Sequence, residues 1–279
     1  MINSKISFFK KIISFILISS FLLCFSGCGQ IIDRFSPKEP PTERPSVRLT
    51  FPEGSTVAEI AKILENGGVC TAEEFLLTAQ NYTLLSEYGF EIPNPENRSF
   101  VMEGYLFPDT YDFYIGEGSE SAARRFLKNS RSKFNDEIKA RCTEIGYTLD
   151  EVLSIASIIQ EEAGNPPEMG KVSSVLHNRL SSSSYPKLQC DANSFYLRDS
   201  VKPYVSEERY EVLLQLYSTY NCEGIQEGPI TNSGIEAVKA ALYPEETDYY
   251  FFITDSENNY IYAKTYKEHL QNCKEAGLD

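Results

Sequence analysis

Thr148–Leu180, TLDEVLSIASIIQEEAGNPPEMGKVSSVLHNRL, reads as two helices joined by a Gly-Asn-Pro-Pro corner, and the rest of the chain is best read outward from it. Glu151, three positions after Thr148, completes a capping box, so the first helix starts near Asp150. Gly164, Pro166 and Pro167 end it. At roughly 100° per residue, Val152, Ile155, Ala156, Ile159 and Ala163 share one face, the expected buried stripe. Glu161 then lies about 180° from Val152, toward solvent, and Glu162 about 80° from it, at the border of the stripe. A carboxyl group at such a border sits partly desolvated, which raises its pKa and suits it to donate a proton. Glu162 is therefore the candidate acid. The plainer alternative is that a Glu-Glu pair closing an amphipathic helix is a solvated end, and the pattern alone carries both readings.

The 279 residues are enough for one large domain or two small ones. A net charge of −14 argues against nucleic acid as a partner, because a phosphate backbone calls for a basic surface. Tyrosine (18) and phenylalanine (17) are abundant while tryptophan is absent; tyrosines suit a sugar-binding surface and equally suit a core. The seven cysteines show no metal-type pairing and there are only two histidines, so no metal site is expected.

Residues 1–28 read as an export signal: Lys5, Lys10 and Lys11 precede an apolar run that closes in Phe25-Ser-Gly-Cys28. That ending is similar to a bacterial lipobox, with Cys28 as the lipidated residue, though Phe25 stands where leucine is usual. An uncleaved membrane anchor is the alternative, at the short limit for spanning a bilayer. Either way the remainder lies outside the cytoplasm, tethered to the membrane. Residues 29–46 are a proline-rich tether.

The architecture expected beyond it is α+β, as a small module over 47–115 and a larger domain over 116–279. A strand at Val47–Phe51 leads through a Pro52–Gly54 turn into a helix carrying Val57, Ile60, Ala61 and Leu64, stopped at Gly67-Gly68. A second helix spans Ala72–Asn81. This order resembles a shortened LysM-like module, a fold that recognises N-acetylated glycans. EGYLFPDTYDF (103–113) reads as an edge strand stopped by Pro108, and Ser119–Ile145 as one long charged helix. Beyond Leu180, Gln189 and Asp191 alternate on one side of an extended segment, and YSTYNCEGIQEGPITNSG (217–234) is a long loop of the functional kind. A helix over 234–242, strands at 249–253 and 260–263 around a turn at 255–259, and a helix over 265–276 complete the chain.

EGYLFPDTY, SIIQEEAG, VSSVLHNRL, LQCD, YSTY with GPITNSG, and AVKAALYP before DYYFF occur here in one order. In that order they resemble the MltG/YceG-like family of membrane-anchored endolytic murein transglycosylases, over roughly residues 47–270. The resemblance implies a LysM-like part, a lytic transglycosylase domain, cleavage within nascent peptidoglycan strands to leave 1,6-anhydro-N-acetylmuramic ends, and no cofactor. It places the catalytic glutamate at Glu162, with Gln160 where the family has a companion glutamate. Ser218 and Gln226-Glu227 are further departures, in the loop expected to meet substrate. Expected substrate contacts are Asn178, Arg179, Gln189, Asp191, Tyr217, Tyr220 and Asn232, with Asp191 placed to orient Arg179. Cell-wall synthases are the expected protein partners. The competing function is a peptidoglycan-binding lipoprotein without catalysis that regulates those synthases; a pyridoxal-phosphate lyase is disfavoured by the export signal and by the lack of a phosphate-cradling glycine loop.

Overall fold

The computed structural model describes residues 44–278, and the chain from Pro45 onward forms one compact unit. The export segment, Cys28 and most of the proline-rich tether lie outside the described residues. Strand β1 (Ser46–Thr50) pairs antiparallel with β2 (Thr110–Tyr114), Ser46 opposite Tyr114 and Thr50 opposite Thr110. Between them run helices α1 (Val57–Asn66), α2 (Ala72–Thr78) and α3 (Tyr82–Ser86). Thr56 and Thr71 each close a capping box, with Glu59 and Glu74, which accounts for two sharp starts within so short a stretch. Beneath β1 and β2, Phe51, Tyr111, Phe113 and Phe126 pack edge-on or tilted, with centroids 4.5 Å apart for Tyr111–Phe126 and 4.8 Å for Phe51–Phe126.

The segment expected to be one long helix is two: α4 (Ser119–Lys133) and α5 (Asp136–Glu144). Phe134 leaves helical geometry to enter the core, 1% exposed, and Asn135 caps α5 by accepting from the Ile138 amide. Helix α6 (Leu149–Glu162) starts with the anticipated Thr148–Glu151 capping box, but its burial is not a single stripe. Every residue from Val152 to Ile159 is buried, making α6 the central helix of the molecule rather than a half-solvated one.

Helix α7 (Pro166–Leu180) follows the Ala163–Asn165 corner. Where an extended segment was expected, Ala192–Tyr196 forms a short helix, α8, running into a wider turn at Leu197–Val201. Helix α9 (Glu207–Tyr217), capped by Ser206, precedes the long loop, and α10 (Ile235–Leu242) follows it, lying against α6 and α7. The hairpin of β3 (Phe251–Thr254) and β4 (Tyr260–Ala263) and helix α11 (Tyr266–Glu275) close the described chain. The fold is thus α+β with two small two-stranded sheets, and one core runs from Phe51 to Leu242 across both halves. Among the described residues no helix is long and apolar enough to cross a membrane.

Candidate active site

The motif segments are one another's packing partners. Gly104 adopts φ +85°, and a Cβ there would fall 2.5 Å from the Pro229 ring, so the first motif and the Gly-Pro loop meet where only glycine fits. Beside it Glu103, 1% exposed, accepts from the Val57 amide (3.0 Å), the Asn232 side-chain amide (2.8 Å) and the Tyr196 hydroxyl (3.1 Å). Burial pushes its carboxyl well above the usual range. This node ties together the start of α1, the loop around 232 and the end of α8. Asn232 also donates to Ser55 O and accepts from the Leu106 amide. Close by, Asp150 at the buried start of α6 pairs with Arg98 and accepts from the Tyr105 hydroxyl (2.7 Å).

At the opposite end of α6 the carboxylates face open space. Glu162 lies where two clefts meet. One, of about 440 Å³, is bordered by Arg179, Gln189, Asp191, Tyr220 and Phe251. The other, of about 430 Å³, is bordered by Gly54, Glu59, Glu161, Asp191 and Phe195. A third, of about 510 Å³, continues from the second past Gly54, Glu59 and Glu161 along the start of α1. Glu162 therefore sits part-way along a groove. Burial raises its pKa, the nearby Asp191 charge adds to the rise, and the Ala192 amide opposes it by hydrogen-bonding the ionised form. The Glu162 backbone is pinned in turn: the Tyr260 hydroxyl donates to its carbonyl (2.8 Å) and accepts from the Gly164 amide (2.8 Å).

Glu161 also borders the groove. Crowding by protein pushes its pKa up to about 7, with the Glu59 and Glu162 charges adding and the Thr231 hydroxyl opposing. Solvent still reaches Glu161, which tempers this shift. Gln160 turns away and accepts from the Gly234 amide (3.0 Å) at the start of α10.

Of the remaining expected contacts, Arg179, Gln189, Asp191 and Tyr220 reach the first cleft. Their pairing differs from expectation. Arg179 is held by Gln189, Lys187 O (2.7 Å) and Tyr250 O (2.9 Å), while Asp191 accepts from Tyr220 (2.8 Å). Gln189 has φ +56° and Asp191 leads into α8, so the segment is not a strand and does not alternate as one. Three residues lie elsewhere. Asn178 gives both amide donations to Thr247 O and Tyr249 O. Tyr217 is 0% exposed, its hydroxyl accepting from the Ser99 amide (3.3 Å), and Asn232 belongs to the buried node. Tyr217 and Asn232 are interior clamps with no surface to offer a sugar, and the half-buried Asn178 has its amide donors committed to backbone carbonyls away from the groove. Of the Gln226-Glu227 pair, Gln226 is buried and donates to Ser154 O (3.0 Å), while Glu227 is half-buried and accepts from the Asn94 side-chain amide (3.2 Å). Phe195 and Glu161 were not anticipated as groove residues; Glu161 was placed only toward solvent, and a phenylalanine four positions after the LQCD motif carries no local mark of exposure.

The YceG-like family matches this chain over residues 28–275. The chain belongs to the YceG-like family. A protein of Bacillus subtilis (strain 168) named endolytic murein transglycosylase is 29% identical over 230 residues, covering 80% of this YceG-like chain and 63% of its own length. A Streptococcus pneumoniae (serotype 2, strain D39) protein of the same name is 25% identical over 256 residues, covering 84% of this chain and 45% of its own length. The YceG-like chain thus spans less than two thirds of the length of these curated relatives. A crystal structure of a yceG-like protein from Listeria monocytogenes shares the fold, with a TM-score of 0.69 at 26% identity over 81% of this chain and 75% of that one.

Proposed function

We propose that this chain is an endolytic lytic transglycosylase of peptidoglycan, with Glu162 as its single acid and base. The observation that carries the reading is the placement of Glu162: partly desolvated, and with groove extending to both sides of it. A polymer can lie across such a site and be cut internally, in keeping with the names of the two bacterial relatives.

Hydrolysis of a glycosidic bond ordinarily uses two carboxyl groups, one of them to activate water or attack the sugar. Here one suffices if the nucleophile comes from the substrate. The raised pKa of Glu162 keeps a protonated population where an exposed glutamate would be ionised. Glu162 gives its proton to the bridging oxygen between N-acetylmuramic acid and N-acetylglucosamine as the bond from C1 to that oxygen breaks. The muramic C6 hydroxyl then bonds to C1, and its proton returns to the Glu162 carboxylate. The products are a free 4-hydroxyl on one side and a 1,6-anhydro ring on the other; no water is consumed. Asp191, by raising the Glu162 pKa, helps hold the acid in its starting form.

Residues 47–115 act in this reading as a LysM-like glycan-holding part, since Gly54, Ser55 and Glu59 border the groove directly. The apolar run ending at Cys28 anchors the protein, by lipid or by an uncleaved helix, outside the cytoplasm, where cell-wall synthases are its partners.

The test is digestion of uncross-linked nascent peptidoglycan by residues 29–279, beside Glu162→Gln, with mass spectrometry of the products. Anhydro-muramic ends from the native protein and none from the variant are expected. Reducing ends would instead mean hydrolysis. No cleavage by a folded, strand-binding native protein would favour the regulatory binding role.

A further inference from the structure

Phe195 is 53% exposed on α8, a helix whose neighbouring residues Asn193 (0%) and Tyr196 (4%) are turned into the protein. Phenylalanine on an exposed position is ordinary when isolated, but this one borders the cleft that contains Glu161 and Glu162. The Arg198 guanidinium lies over its ring, 5.0 Å from the centroid, and is itself held to Asp199 (2.6 Å), which borders the same cleft. The ring carries a solvent-exposed guanidinium on one face and is not covered by the core. Polar groups surround it: Thr56, Glu59, Asp199 and Ser200 border the same space.

An aromatic face set among hydrogen-bonding groups is the arrangement that recognises a pyranose. β-1,4-linked glucosamine-type sugars carry their ring substituents equatorially, which leaves flat faces of axial C–H groups to stack on an aromatic ring. Tyr220 and Tyr266, on the first cleft, are exposed aromatics beyond Glu162 from Phe195. We propose that Phe195 is the stacking platform of a sugar subsite on the Glu161 side of the acid, binding an N-acetylated hexosamine unit of the glycan strand. The proposal rests on the glycan-cleaving reading and adds a residue and a side of the groove to it. With Phe195 engaged, a strand is held beyond the bond being broken as well as before it, which favours cutting within chains over trimming from an end.

The chain contains no tryptophan, so a single one can be introduced as a reporter. Phe195→Trp is made in the Glu162→Gln background, which prevents turnover, and titrated with uncross-linked murein strands while binding is followed separately by co-sedimentation. A matched control carries Leu77→Trp, at a position 70% exposed and on none of the three clefts. The expected result is a shift in emission that saturates with strand binding for Phe195→Trp, none for Leu77→Trp, and roughly three- to tenfold weaker strand binding for Phe195→Ala. Strand binding with unchanged emission and unchanged affinity would overturn the Phe195 subsite and leave the enzymatic reading standing. No strand binding by the Glu162→Gln protein, together with no cleavage by the native one, would overturn both.

Discussion

Glu103 and Glu162 are two carboxyl groups raised in pKa by the same cause, burial, yet they stand in opposite situations. Glu103 is closed in by α1, the loop at Asn232 and Tyr196, and its oxygens are engaged by three separate donors. Glu162 faces two clefts and is opposed by the Ala192 amide alone. A raised pKa by itself does not distinguish a catalytic acid from a structural clamp. Hydrogen-bonding capacity left free toward a cavity does. The same contrast separates the two ends of α6: Asp150 at its start is spent on Arg98 and Tyr105, and Glu162 at its end is not.

The largest expected effect follows from exchanging charge for amide at the open end. Glu162→Gln should cost about 10²- to 10⁴-fold in turnover of nascent strands while thermal unfolding moves little. A comparable fall in melting temperature would erase the distinction from Glu103. At the closed end, Asp150→Ala should lose about 3–5 kcal/mol of stability in denaturant unfolding, because the buried Arg98 charge is left unpaired. Glu103→Ala should lose roughly 1–3 kcal/mol, chiefly through the orphaned Val57 amide, and Glu103→Gln distinctly less because a carbonyl acceptor remains. Equal losses for those two variants would show that the hydrogen bonds do not hold the node.

The smallest effect is a shift along the pH axis. Asp191 raises the Glu162 pKa, so Asp191→Asn should lower it and move the alkaline limb of kcat to lower pH. A limb that stays in place or moves upward would mean another group sets it. The raised carboxyl pKa of Glu161 also links to folding: the native state binds more protons than the unfolded chain between the ordinary glutamate range and about 7. Its contribution to stability is therefore present in acid and lost as pH rises through that window, and Glu161→Gln should flatten this slope in pH-dependent melts.

Local signals were legible and tertiary ones were not. Thr148 with Glu151 and the Gly67-Gly68 stop each declare themselves within a few residues and mark real helix ends, whereas the edge strand expected over 103–113 with a stop at Pro108 instead lies beyond the proline, at Thr110–Tyr114. The break at Phe134 was hidden because Asn135 also reads as an ordinary polar position in a charged helix, and only the pull of the core on Phe134 decides. Ser206 followed by two glutamates was a usable helix-start signal for α9. The clamps Asn178, Tyr217 and Asn232 illustrate the deeper limit. A polar residue in a motif satisfies a carbonyl as readily as it would a sugar, and nothing local says which partner the fold supplies. Glu162 was singled out from its angle about α6, an argument that uses only the helix to which it belongs.

The Tyr260 hydroxyl bridges the Glu162 carbonyl and the Gly164 amide, on either side of the corner where α6 ends. One phenol thus fastens a hairpin near the end of the chain to a helix terminus almost a hundred positions earlier. The β3–β4 hairpin is thereby fastened to the end of the central helix, so the backbone that carries Glu162 takes its position from both the core and the hairpin.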